Sequence, residues 1–255
     1  MRTSVLAGLI AIMMPACMVG GITGLGGEEE TGGGEGEGGG GGGGSGSGSG
    51  GEITTTPRVD ATIDKTTVMT ELGKTENIVV TITSMDGFTG PVPITASVMD
   101  GATAVTGWTA TATPASVDLS AGGSATVTLA VMIPTDSMAA APQVKVDLGG
   151  AAPMSLTSSF NVAKKLTINI DAGTGTGIHN GLPLNKPIKI RAGTMVTFHN
   201  GDNIQHVIHA SGGINHENTG LGMPGSDYAV TPTADATWYC HNHEGAGQGR
   251  IINRL

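Results

Sequence analysis

Residues 236–253 read ATWYCHNHEGAGQGRIIN: a short run of strand character, a glycine-rich loop and a second short run. If ATWYC is extended, successive side chains alternate between faces, so Cys240 and His241 point opposite ways. His243 lies past the strand end and can fold back over Cys240. Gly245, Gly247 and Gly249 let the chain turn tightly and bring Gln248 back toward the same point as the next strand begins. One loop thus gathers a thiol, an imidazole and an amide between two strands.

The same alternating, turn-punctuated pattern extends outward on the N-terminal side. KLTINID, PIKI, GTMVTFHN, HVIHA and SDYAVTP are short strands separated by turn residues, which predicts a small sandwich or barrel over residues 164–255. All seven histidines of the chain lie here, at 179, 199, 206, 209, 216, 241 and 243. In VTFHNGDNIQHVIHA (196–210) a loop follows Asn200, and His206 opens the next strand at that end of the sheet. His209, three residues on, faces the other way if HVIHA is extended. The expected metal donors are therefore His206, Cys240 and His243, with Gln248 as a weaker oxygen donor. A thiolate with two imidazoles and a weak axial group is the blue-copper pattern. Zinc also accepts thiolate and imidazole, so the donors alone leave it open. Met195 and Met223 are the other axial donors within the segment. Met195 reads as a core residue of its strand, and Met223, in LGMPG, as part of an apolar surface around His243.

Residues 165–255 resemble the small cupredoxins of the plastocyanin and amicyanin type. The likeness is carried by the histidine six positions after Asn200, the PGSDYAV turn and strand, and YCHNHEGAGQG. It implies a Greek-key β-sandwich or barrel and one type 1 copper ion held by His206, Cys240, His243 and Gln248. It also implies electron transfer rather than enzyme catalysis, with redox protein partners docking near His243. Gln248 stands where methionine is usual, a substitution that resembles stellacyanin-type sites and implies a low potential. Val207 stands where an asparagine commonly braces the two ligand loops, so that bond must be absent or replaced.

Residues 53–163 carry neither histidine nor cysteine. NIVVTITS, VPITASVM, SATVTLAVMI and QVKVDL are period-2 runs of β-branched residues with Gly, Pro, Asp and Ser turns between them, which predicts antiparallel strands and no helix. TPASVDLSAGGSATVTLAVMIPTDS (113–137) is similar to bacterial immunoglobulin-like surface modules, with AGG as the turn, which implies a spacer or adhesion role. The expected fold is thus all-β, an immunoglobulin-like β-sandwich followed by the cupredoxin segment.

The 255 residues hold 12 Lys and Arg against 21 Asp and Glu, a net charge of -9 that argues against a nucleic-acid binder. Residues 24–52 are nearly all Gly, Glu and Ser, too poor in apolar surface to order, with a reach of roughly 25 to 30 Å. Residues 1–23 begin with Arg2 and an apolar run from Val5 to Met14, which reads as a secretory signal. Cys17 follows Ala16 directly after that run, as in a bacterial lipoprotein signal; an ordinary cleavable signal with an incidental cysteine is the alternative. The expected location is the bacterial cell envelope, in the periplasm or on the outer membrane or cell surface. Lipidation at Cys17 would leave Cys240 without an intramolecular disulfide partner. On this reading Cys17→Ser releases the protein from the membrane fraction, and mass spectrometry of the mature N-terminus checks it.

Overall fold

The computed structural model describes residues 55–151, 153–170, 187–217, 221–222, 224–240 and 249–255. The signal, Cys17 and the glycine-rich segment lie outside these residues. Every regular element among the described residues is a strand, so the fold is all-β.

Strands of the first part are β1 (Arg58–Ile63), β2 (Thr67–Leu72), β3 (Thr75–Met85), β4 (Gly90–Asp100) and β5 (Thr103–Ala104). They continue with β6 (Thr109–Thr113), β7 (Ser116–Leu119), β8 (Ser124–Met132), β9 (Pro142–Leu148) and β10 (Met154–Ile170). One sheet runs β1-β3-β8-β6; facing it, β9 lies between β4 and β10, while β2 pairs with β10 and β7 with β4. This is an immunoglobulin-like sandwich. Its core takes alternate residues from each strand: Ile78, Val80 and Ile82 of β3, Val127, Leu129 and Val131 of β8, Val144, Val146 and Leu148 of β9. Trp108 packs edge-on against Phe160 with ring centroids 5.7 Å apart, and its indole N–H donates to Ser137 Oγ at 2.8 Å. The AGG turn does not close a hairpin. Because β7 pairs with β4 while β8 pairs with β3 and β6, the turn carries the chain from one sheet to the other. Gly122, at φ +70°, supplies the left-handed backbone this corner needs.

The second part adds β11 (Ile188–Ile190), β12 (Met195–Asn200), β13 (Ile208–Gly212), β14 (Asp227–Val230), β15 (Ala236–Cys240) and β16 (Arg250–Arg254). β12 and β14 extend the large sheet beside β10, and β11-β16-β15-β13 form a separate four-stranded sheet. Between them lies a second core built from Leu166, Ile168, Ile170, Val196, Phe198, Ile208, Trp238 and Ile252. Among the described residues neither sheet closes on itself, so this half is a sandwich and not a closed barrel.

β10 serves both cores. Its first residues pair with β9, its middle with β2 and its last with β12. Phe160 belongs to the first core and Leu166, Ile168 and Ile170 to the second, and residues 53–255 form one compact unit. Two further ties cross the junction: Thr135 Oγ1 donates to the Lys189 carbonyl, and Arg191 Nε donates to the Asp136 carbonyl at 3.0 Å.

Ile168 is fully buried, so Ile168→Ala should lower the unfolding free energy by about 2 to 5 kcal/mol. Lys165→Ala, on the opposite face of β10, removes only a 3.8 Å surface ion pair with Glu71 and should cost less than about 1 kcal/mol. Urea denaturation of the two variants checks this.

Candidate metal centre

Strand pairing brings two of the sequence-predicted donors together. β13 and β15 are antiparallel with Ile208 opposite Cys240, so both side chains lie on the same face. His206, two residues before Ile208, shares that parity at the end of the sheet. His206 Nδ1 lies 3.2 Å from Cys240 Sγ, and both residues are 0% exposed. His206 does not open the strand itself. It forms an isolated bridge to Leu221, its N–H donating to the Leu221 carbonyl at 3.1 Å, and the regular ladder starts at Ile208.

Two residues that the sequence did not single out hold the loop before His206. Asn200, buried at the end of β12, donates its side-chain N–H groups to the carbonyls of Ile204 at 2.9 Å, Gly222 at 2.6 Å and Leu221 at 3.4 Å. Its side-chain oxygen accepts the Asp202 N–H at 2.9 Å. Asn200 thus ties the loop of residues 201–206 to residues 221–222. Asp202, 1% exposed, directs Oδ2 to His206 Nε2 at 3.2 Å, and its Oδ1 accepts the Asn203 N–H at 2.7 Å. Neither role leaves a sequence signal beyond an Asn-Gly-Asp turn.

The remaining histidines sit apart from this pair. His209 faces away from Cys240: its ring packs on Tyr239 at 4.6 Å, and its Nδ1 lies 2.9 Å from His216 Nε2. His199 pairs with Asp227 at 2.6 Å on the surface. Tyr228 donates to the Asn215 carbonyl, and burial, with a smaller contribution from the Glu217 charge, raises its phenol above the usual range. Met195 is 38% exposed rather than core, because it opens β12. Asn200 closes that strand five residues later, roughly 17 Å away at about 3.3 Å per residue. Met195 thus sits at the opposite end of β12 from the loop that leads to His206. His179, Met223, His241, His243 and Gln248 lie outside the described residues. Among the described residues no group of three or more His, Cys, Asp or Glu converges to hold a metal.

The pair that is described has the chemistry and spacing of metal donors. Bonds of about 2.0 Å to imidazole and 2.3 Å to thiolate at a tetrahedral angle put the two atoms about 3.5 Å apart. The observed 3.2 Å needs an opening of only a few tenths of an ångström.

No family model matches the chain, and no curated protein sequence does. Solved structures give distant likenesses. The purple cupredoxin from Nitrosopumilus maritimus aligns at 20% identity with a TM-score of 0.27, over 35% of this chain and 98% of that one. Domains 4 and 5 of the S-layer protein SbsC align at 15% identity and 0.30, over 42% of this chain and 54% of theirs, so the chain spans about half of that structure. The E. coli chaperone DraB aligns at 13% identity and 0.29, over 77% of this chain and 97% of that one. All three TM-scores fall well short of one half.

Asn200→Ala removes the amide that four backbone groups share. Leaving buried carbonyls without their donor should lower the unfolding free energy by about 2 to 4 kcal/mol. Hydrogen exchange should quicken first at the Asp202 and His206 amides, as native-state exchange can measure.

Proposed function

We propose that this chain is an exported type 1 copper protein that transfers single electrons, with Cys240, His206 and His243 as the strong donors and Gln248 as the weak axial one. The observation that supports this most is the wholly buried contact between Cys240 Sγ and His206 Nδ1. A copper ion bound there would supply the one-electron Cu(I)/Cu(II) couple. The protein's part is to hold its donors still and dry. His206 is fixed by its bridge to Leu221 and by Asp202, and Cys240 by the ladder to Ile208. Donors so constrained need little rearrangement between oxidation states. Gln248, a harder donor than methionine, favours the higher charge and hence a low potential. Redox proteins would dock near His243, and an envelope location follows from the N-terminal segment with Cys17 as anchor.

Copper or zinc binding for storage, delivery or sensing, without a redox partner, is the alternative within the same donor set. A different chemistry is suggested by the order Cys240, His206, Asp202, which has the connectivity of a thiol, imidazole and carboxylate triad. A nucleophilic thiol must meet its substrate, however. Cys240 is fully buried, and the surface clefts around Met69, Met138 and Arg191 do not include it.

Copper loading should give an intense visible thiolate-to-metal band that Cys240→Ser abolishes and His241→Ala preserves. Absence of the band from a protein that binds zinc stoichiometrically would favour the storage reading. Loss of the band in His241→Ala would overturn the ligand assignment in the loop.

A further inference from the structure

The geometry points to Asp202 as a positioning residue that fixes which nitrogen of His206 is offered to the metal and adds a negative charge behind it. This inference rests on the copper reading for its redox consequence only.

A neutral imidazole carries one N–H and one lone pair. His206 is fully buried with Cys240 Sγ at 3.2 Å from Nδ1 and Asp202 Oδ2 at 3.2 Å from Nε2. A carboxylate oxygen can only accept, so it claims the proton for Nε2 and leaves the Nδ1 lone pair facing Cys240. The opposite tautomer would set the Nε2 lone pair against a carboxylate at a site closed to bulk solvent, which is costly. Asp202 is itself held. Its N–H is bound by Asn200 Oδ1 and its Oδ1 by the Asn203 N–H, so the segment from Asp202 to His206 folds back with Oδ2 aimed at the ring. A neutral acceptor would suffice to choose the tautomer. A carboxylate does more: it increases the donor strength of the far nitrogen and favours the more highly charged ion.

Two substitutions separate these effects. Asp202→Asn preserves an oxygen acceptor and removes the charge, and Asp202→Ala removes both. Nitrogen-15 NMR of the metal-free full chain should show His206 protonated at Nε2 in the wild type and in Asp202→Asn, and a shift toward Nδ1 protonation in Asp202→Ala. Affinity for Cu(II) should fall about ten- to a hundredfold in Asp202→Ala. In copper-loaded protein, voltammetry should find a higher potential for Asp202→Asn than for the wild type. His206 protonated at Nδ1 alone in the wild type, or a tautomer unchanged in Asp202→Ala, overturns the positioning role. An unchanged potential in Asp202→Asn overturns the part played by the charge. If the protein takes up no copper, the metal-free spectra still decide the positioning role while the copper reading fails by itself.

Discussion

One strand's alternation sets the terms for everything else in residues 53–255. Along β10 the even-numbered side chains Met154, Leu156, Phe160 and Val162 serve the first core, and Leu166, Ile168 and Ile170 serve the second. Buried Ser158 and exposed Lys164 are the polar members of this series. Since side chains in a strand alternate with period 2, the inward face of one sandwich dictates the inward face of the next. β12 then inherits its register from β10, with Phe198 opposite Ile168, and the strand that ends at Asn200 delivers the loop leading to His206. The position of the candidate site is thus set from within the first half of the molecule.

This coupling explains why a junction placed between residues 163 and 164 is natural to a reader of composition and less natural to the backbone. Composition changes there: residues 53–163 lack histidine and cysteine, and the residues after them hold all seven histidines. The pairing with β2 continues across that junction, because β2 accompanies β10 from Ser159 to Leu166, with a register shift between Ala163 and Leu166. The two hydrophobic cores are separate, while the ladder that frames them is shared.

The all-β character was legible because β-branched alternation and turn residues act over a few positions, and local patterns survive folding. Parity alone also set His206 and His209 on opposite faces, while the register that brings His206 beside Cys240 comes from the pairing of β13 with β15. Contacts made by loops were not legible. Asn200 reaches carbonyls that come near only after residues 221–222 pack beside the loop of residues 201–206, and Asp202 meets His206 because that loop returns on itself. His209 and His216 meet for a similar reason. The turn between them requires Gly212 and Gly213, whose added Cβ atoms would fall within 2.3 Å of the Asp235 and Ala234 backbone. Met195 misled because a strand's opening residue has strand character without strand burial.

Burial of Cys240 gives the protein an internal measure of its own opening. Its thiol is fully enclosed, so an alkylating reagent can reach it only when the strand ends around it part. The labelling rate is then the intrinsic reactivity of the thiol multiplied by the fraction of time the site is open, as for amide exchange. That fraction reports on the sheet and loop contacts of Ile208, Leu221 and Asn200 without any added probe. A ligand that binds at the thiol slows the same clock in proportion to its occupancy, so the side chain that would hold the metal also times the motions that would release it.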